Sequence, residues 1–464
     1  MCELTNDQKH AIGLDFVLEN LNCNSPYGHE KLRTLSPYCR NNINKLEREF
    51  DNIAAAVALI KSNNHLFVQM EENLAHFRNI RGSVKKCENQ ALGIVEMFEI
   101  KGFLLNLERI LPIYMQVNKA FTAIDLVQMT EALDVLDPHG KRVAPFFIED
   151  DASEALKQIR EEKAAFFSLQ KKGEEFKRAK IIAAEDAEEM HILQQMSDKL
   201  RQFIPLFVKN MDAVGELDFC MAKAVLAEKF GATRPIISNS PQFVIKGMFN
   251  PMVADALVKN GNTFTKINIT MQAGTTIITG ANMGGKSVAL RTAALNAELC
   301  RLGFYIFAIG AQIPLFDSIC LISEDKQDLH LSSFGAEIKR LDQVVVHSRN
   351  KFMLIILDEP ARTTNPAEGT AIAQATALFF AKSLNVCLMS THYDLAGLFD
   401  NRIRYYQVAG LTSDATASDI GGCMDYNLVE VDANTPPPRN AMRVCKLMGL
   451  DDELMSYIEN AVKM

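Results

Sequence analysis

Apolar residues at Ile43, Leu46, Phe50, Ile53, Val57 and Ile60 alternate by three and four, with charges between them. That spacing predicts a helix with one apolar stripe, packed along another helix. A second helical stretch, from about Ser153 to Phe203, is rich in Glu, Lys, Ala and Gln. Gly173 interrupts it between Lys171-Lys172 and Glu174-Glu175, which predicts two antiparallel helices turning there. Long levers tipped by a small helical hairpin, or an ordinary helical bundle, fit this periodicity equally well. From Pro235 the pattern changes. Short β-rich runs appear at Phe243–Ile245, Thr275–Ile278, Phe352–Leu357 and Val386–Met389, separated by helical segments. This predicts a mainly parallel sheet. After Pro436-Pro437-Pro438 the tail carries one short amphipathic helical piece, near Met442 to Ile458. The expected organisation is an all-α domain over 1–234, with the hairpin near 153–203, followed by an α/β domain over 235–464.

Composition narrows the class. With 464 residues, 48% hydrophobic and 23% charged, the chain is globular, which excludes disordered and fibrous classes. The net charge of −8 argues against coating nucleic acid through bulk charge and leaves a local basic patch open. No apolar run approaches the ~20 residues that span a bilayer, so no membrane partner is expected. The N-terminus (MCELTNDQKHAIGLDF) has no basic-then-apolar signal pattern. Ten cysteines are scattered from Cys2 to Cys445 without a C-x-x-C pair, which reads as reduced thiols in a cytoplasmic protein.

The strongest chemical signal is Gly280-Ala-Asn-Met-Gly-Gly285-Lys286-Ser287, which matches G-x-x-x-x-G-K-[ST] between a strand and a helix-forming run. Glycines there let backbone N–H groups face phosphate oxygens at a helix N-terminus. Gly280, Asn282, Met283, Gly284, Gly285 and Val288 are the expected cradle for ATP. Lys286 would sit on the β/γ-phosphates, and the Ser287 hydroxyl would ligate Mg2+. An apolar strand then ends in Asp358-Glu359. This places Asp358 near the metal and Glu359 where it could activate an attacking water. Ser390-Thr391-His392 follows another apolar run, and His392 at a strand's carboxyl end could meet the γ-phosphate. Ser332-Ser333 with Glu337 reads, on the residues alone, as a helix cap with a glutamate supporting the first turn.

In this order the motifs resemble the ATPase domain of the MutS family, within the ABC-type ATPases. Thr279-Gly-Ala-Asn-Met-Gly-Gly-Lys-Ser287 resembles that family's T-G-P-N-M-G-G-K-S, and Ser332-Ser-Phe-Gly-Ala-Glu337 its S-T-F-x-x-E signature. Asp358-Glu-Pro-Ala-Arg-Thr-Thr364 with Glu368-Gly369 resembles D-E-x-G-R-G-T…D-G, and Ser390-Thr-His-Tyr393 matches [AS]-T-H-Y. The block Ala308 to Ile319 resembles a further family stretch, P-A-x-x-A-x-[IV]-x-x-x-D-x-I. The resemblance runs from about Phe243 to Leu398. It implies an ABC-type P-loop ATPase domain with a mainly parallel sheet, preceded by an all-α lever and clamp. It also implies that Ser333 contacts the γ-phosphate bound on a partner subunit, hence a homodimer or paralogue heterodimer with composite ATP sites. Phe264 lies where family members stack an aromatic on adenine, and equally where a core Phe would lie. Departures are Ala281 for the family Pro, Val288 for Thr, and Ala361 and Thr363 for two glycines flanking Arg362.

Upstream, Ser25-Pro-Tyr-Gly28-His-Glu-Lys-Leu32 resembles the opening of the family's lever domain, T-x-x-G-x-R-x-L, and Leu136 to Ile159 the segment leading into its clamp. On that alignment the chain is a short form without the mismatch-recognition and connector domains. Residues 153–180 hold eight basic and five acidic side chains. Lys171, Lys172, Lys177, Arg178 and Lys180 gather about Gly173, where they could meet DNA phosphates or form a solvated, charge-paired surface. Phe166, Phe167 and Phe176 are expected in the core. The resemblance implies an ATP-switched clamp on DNA, of the mismatch-repair or recombination class. The alternative is an ATP-dependent protein remodeller, such as a reactivation factor for a cobalamin-dependent amino-acid mutase, whose client would be a protein.

Overall fold

The computed structural model describes residues 3–168, 174–280, 285–323, 333–362, 364–395, 397–411, 424–435 and 441–463. The chain divides into two compact units, one of residues 1–21, 36–50 and 225–464, the other of 22–35 and 51–224. This division is not a single cut at 234/235. Two N-terminal segments pack with the α/β unit, and local contacts show why. The helix Asn6–Ile12 leads into a segment that buries Ile12, Leu14 and Val17, and Gln8 Nε2 donates to the Leu321 carbonyl at 2.9 Å. The Tyr38 N–H donates to the Arg301 carbonyl at 2.7 Å.

The second unit is helical. Its aromatic core centres on Phe103, whose ring lies 6.1 Å from Tyr27, 5.2 Å from Phe77 and 6.3 Å from Phe207. Ser25 caps the helix Pro26–Arg33 by accepting from Gly28 N–H, and Pro26 fits the first turn, where no donor is needed. The buried Asp218 carboxylate accepts from Asn24 N–H (3.0 Å), Ser25 N–H (2.7 Å) and the Ser25 hydroxyl (2.6 Å). Gly28 makes this possible, because a Cβ there would lie 2.1 Å from Asp218 Oδ2. Lys101, Asp137 and Arg142 form a second polar knot, with Lys101 Nζ 3.4 Å from Asp137 and the Arg142 N–H donating to it at 2.7 Å.

In the helix Ile43–Ser62, Leu46, Phe50 and Ile53 are fully buried as the spacing predicts. Beyond them Ala56 and Leu59 take the deep positions, while Val57 and Ile60 are half-buried. A strict heptad stripe drifts around a straight α-helix, so its later members rotate out of the contact. The helices Glu154–Ser168 and Glu175–Arg201 are antiparallel: Ser153 donates to Glu188, Arg160 pairs with Glu185 and Glu189, and Lys163 pairs with Glu185. The predicted turn at Gly173 lies outside the described residues.

The first unit holds ten strands among the described residues: β1 (Ile236–Ser238), β2 (Phe243–Met248), β3 (Ile267–Met271), β4 (Gly274–Thr279), β5 (Gly310–Pro314), β6 (Ser318–Ile322), β7 (Met353–Asp358), β8 (Val386–Ser390), β9 (Ile403–Leu411) and β10 (Met424–Val431). They form two sheets, ordered β1-β5-β2-β3 and β10-β9-β4-β8-β7-β6. In the second sheet every pair is parallel except β9/β10. All positions of β4 and β8 are buried, and all of β7 but Asp358. Such continuous apolar runs are what strands covered on both faces require. The buried Thr275 hydroxyl is satisfied by the Ala377 carbonyl at 2.8 Å. Gly274, at φ +117°, lets β4 start against the Arg402 carbonyl, which a Cβ would meet at 2.3 Å.

The four β-runs read from the sequence fall in β2, β4, β7 and β8. The mixed first sheet was not expected: β5 (Gly-Ala-Gln-Ile-Pro) has no β-branched run to announce it. The single tail helix is corrected to two, Ala441–Leu447 and Asp452–Lys463, separated around Gly449 at φ +72°.

Two stability tests follow from the helical unit. Gly28→Ala should lower stability by about 1–3 kcal/mol through overpacking. Gly102→Ala, inside the helix Ile94–Tyr114 with open space at its Cβ, should raise it by about 0.5–1 kcal/mol. Urea denaturation distinguishes the opposite signs. For Asp137, burial raises the carboxyl, but the N–H and guanidinium of Arg142 with the Lys101 charge outweigh it and hold it below the usual value. Its stabilisation is therefore present at neutral pH and lost as pH falls through the depressed folded value. Asp137→Asn should remove this acid-limb loss, seen as a flatter melting-temperature profile below about pH 4.

Candidate functional site

The parallel register brings the motifs to one edge. Ile278 pairs with Ser390, and Ser390 with Asp358, so the carboxyl ends of β4, β8 and β7 lie side by side. Ligands of open parallel sheets bind at this edge. Gly280 leaves β4 at φ +142°, and Gly285 at φ +76° starts the helix Lys286–Arg301. Gly285 is required twice, by its positive φ and by the ring of Tyr426, which a Cβ would meet at 3.0 Å. Asn282, Met283 and Gly284 lie outside the described residues, and Val288 is half-buried on the helix.

The Lys286 side chain is 3% exposed, and its ammonium donates to the Gly280 carbonyl at 2.7 Å and lies 3.3 Å from Glu359 Oε1. The Ser287 hydroxyl donates to Asp358 Oδ1 at 3.0 Å, and the Ser390 hydroxyl donates to the same oxygen at 2.8 Å. Ser390 also accepts the Glu359 N–H, at its carbonyl (3.2 Å) and its hydroxyl (3.0 Å). These bonds hold Glu359 at φ +53°, a left-handed backbone that costs a non-glycine residue about 1–2 kcal/mol. Around its carboxylate stand Lys286, the Arg362 guanidinium at 3.4 Å and His392 Nδ1 at 4.0 Å. Three cationic or ionisable nitrogens therefore face one carboxylate, beside a second carboxylate that accepts from two hydroxyls.

A supporting layer follows. Glu337 accepts the Ala361 N–H at 2.6 Å, tying the signature helix Ser333–Ser348 to the loop after β7. The Tyr393 phenol donates to the Ala361 carbonyl at 2.9 Å. Burial first, then the Glu337 and Glu359 charges, push that phenol above its usual range and keep it a donor. Gly369 admits the phenol, since a Cβ would lie 2.2 Å from its oxygen. Ala361 itself sits at φ +62°. Ser333 begins its helix. Phe264 is half-buried in the connection leading into β3.

The comparisons with known proteins concern this same region. A family model described as MutS domain V matches residues 276–463. The chain is 28% identical to endonuclease MutS2 of Caldicellulosiruptor bescii over 276 residues, 59% of this chain and 34% of that protein. It is 30% identical to the DNA mismatch repair protein MutS of Shouchella clausii over 234 residues, 49% of this chain and 27% of that protein. The region 276–463 is therefore similar to the MutS family. These matches span about a third or less of the relatives' own length.

The sequence motifs point to Lys286, Ser287, Asp358, Glu359 and His392, which the fold brings together. Sequence reasoning gave no role to Ser390, Tyr393 or Tyr426, and it read Glu337 as supporting its own helix. The available signals were the motif letters themselves: Ser390 and Tyr393 in the [AS]-T-H-Y match, Glu337 in the S-T-F-x-x-E match. Tyr426 had none.

The basic cluster lies in the helical unit. Lys171 and Lys172 fall outside the described residues; Lys177, Arg178 and Lys180 are exposed. The expectation that the neighbouring phenylalanines are core is corrected. Phe176 is 86% exposed and Phe167 44%. The hairpin there buries little apolar surface: in the helix Glu154–Ser168, Leu156 is the only buried residue. Arg178 lies 5.3 Å over the Phe167 ring, and Lys177 5.8 Å over Phe166.

Ala361 provides a test of the loop geometry. Ala361→Gly keeps both main-chain bonds and removes the left-handed penalty, so stability should rise by about 1 kcal/mol in thermal or urea unfolding. An unchanged or lower midpoint would show that the loop is unstrained.

Proposed function

We propose that the chain is a Mg2+-dependent ATPase with an ABC-type nucleotide domain, in which nucleotide turnover works a dimeric clamp on DNA. One observation carries the ATPase reading. Lys286, Ser287, Asp358 and Glu359 converge, within hydrogen-bond or ion-pair reach, at the carboxyl ends of β4 and β7, on a G-x-x-x-x-G-K-S sequence. Gly280, Gly284 and Gly285 would offer main-chain N–H groups to the phosphates, with Asn282 and Met283 between them in the sequence and Val288 on the helix that follows. Lys286 holds the β/γ-phosphate oxygens.

The donor set suits magnesium: a hydroxyl and a carboxylate oxygen 3.0 Å apart, both hard oxygen ligands. Ser287 and Asp358 would hold the ion, which neutralises phosphate charge when bound. Ser390 fixes the Asp358 carboxylate toward that position. Glu359 takes the proton of the attacking water, and His392 orients that water or the terminal phosphate. Arg362 and Lys286 restrain the Glu359 carboxylate until phosphate competes for them. Ser333, at the start of the signature helix, serves the nucleotide of a second subunit. Phe264 is the adenine-facing candidate on family resemblance.

DNA enters this reading through the family and through the exposed cations. Lys177, Arg178 and Lys180 beside exposed Phe167 and Phe176 combine charge with ring faces, a composition that suits phosphates and unstacked bases.

Glu359→Gln should reduce ATP turnover by about 10²–10⁴-fold while ATP still binds, measured by phosphate release and nucleotide binding. Turnover at the wild-type rate would remove Glu359 from catalysis. Replacing Lys177, Arg178 and Lys180 together by Ala should lower the slope of log affinity against log salt by up to about three. If neither duplex, branched nor mismatched DNA binds or alters turnover, the DNA part of the proposal fails.

A further inference from the structure

At the other end of β7 and β8, remote from Asp358 and Glu359, the α/β unit carries a cavity of about 650 Å³. That volume is typical of a small-molecule site. The six residues of β7, at ~3.3 Å each, put the two ends about 20 Å apart. Three cations line the cavity, Arg40, Arg349 and Lys351, and no lining residue carries a carboxylate. In a chain of net charge −8 this is a local reversal of sign. Arg349 and Lys351 are exposed, and their side chains make no hydrogen bond or ion pair among the described residues. Leu384, 75% exposed, and Phe379, 41% exposed, add apolar surface to the same wall set.

The cavity is built rather than incidental. Asn385, 2% exposed, stitches its two turns together: Nδ2 donates to the Ser348 carbonyl at 2.8 Å, and Oδ1 accepts the Met353 N–H at 2.7 Å. Asp317 fixes Phe352 by a reciprocal pair, its N–H donating to the Phe352 carbonyl at 2.8 Å and its carboxylate accepting the Phe352 N–H at 2.9 Å. Phe352 stacks on Phe316 at 5.0 Å, and the Arg40 guanidinium lies 4.1 Å over the Phe352 ring. Arg40 Nε donates to the Leu315 carbonyl at 3.3 Å, which anchors one side of the planar fork. A stacked, anchored guanidinium loses little freedom on meeting an oxyanion.

We propose that this cavity binds an aromatic phosphate ester of nucleotide size, with its phosphate on Arg40, Arg349 and Lys351 and its ring against Leu384 and Phe379. A bare carboxylate ligand would leave the apolar wall unused; a flat duplex backbone could not enter a concavity of this volume. The phosphate ester could be a free mononucleotide or one residue of a single strand. The site is separate from the Lys286 loop and stands whether or not that loop hydrolyses ATP.

The test uses the full chain carrying Lys286→Ala, titrated calorimetrically with AMP, hexathymidylate, inorganic phosphate and hexaglutamate. Expected are saturable binding of AMP or hexathymidylate, at least tenfold tighter than inorganic phosphate, and at least tenfold weakening in Arg349→Ala/Lys351→Ala. The tighter of the two nucleic ligands identifies the source of the phosphate. Leu384→Ala should weaken the nucleic ligand and leave inorganic phosphate unchanged. Both cations sit on an exposed turn, so the double variant folds, which circular dichroism checks. Binding that survives the double variant, no preference over inorganic phosphate, or tightest binding of hexaglutamate would each overturn the proposal. Loss of nucleotide binding on Lys286→Ala alone, with the cavity variants silent, would assign all binding to the loop.

Discussion

The in-register parallel pairing of β4, β8 and β7 is the constraint on which the chemistry depends. Their interiors are dry on both faces, so polar side chains can appear only where the strands stop. Because Ile278, Ser390 and Asp358 share one register line, three stops coincide. A slip of one residue in any pair would turn Asp358 into the core and carry Ser287's partner away. Apolar burial along about five residues of each strand thereby fixes the positions of oxygens and nitrogens to within hydrogen-bonding tolerance.

Above that edge the structure spends conformational strain. Glu359 and Ala361 both sit in the left-handed region, two residues apart, and neither is glycine. The bonds that hold them come from two different segments: Ser390 at the end of β8 with Tyr393 just past it, and Glu337 on the signature helix. Strain of this kind persists only when surrounding contacts over-determine it. The loop is thus a junction whose shape reports on the helix Ser333–Ser348 as well as on the strand that precedes it.

Legibility in the sequence followed the range of the forces involved. Lys286, Ser287, Asp358 and Glu359 were readable because a phosphate loop and a strand-end carboxylate pair are local patterns. The apolar strands β4, β7 and β8 were readable because doubly covered strands show as continuous runs. Ser390's link to Asp358 and Glu337's link to Ala361 depend on tertiary register, which leaves no local mark. The packing of residues 1–21 on the α/β unit was hidden for the same reason. The exposed Phe176 shows the opposite error: hydrophobicity was read as burial, where the facing helix Glu154–Ser168 buries only Leu156, near its far end.

The Lys286–Glu359 pair has a consequence in terms of competition. As described, the ammonium and the carboxylate compensate each other in a nearly dry setting, with exposures of 3% and 12%. An anion that claims Lys286 must first displace Glu359, so its affinity is reduced by whatever that pair is worth. The displaced carboxylate is left with Arg362 and His392, in an electrostatic field that the newcomer has made more negative. The same side chain that resists the anion's arrival is released toward Arg362 and His392 once the anion is in place.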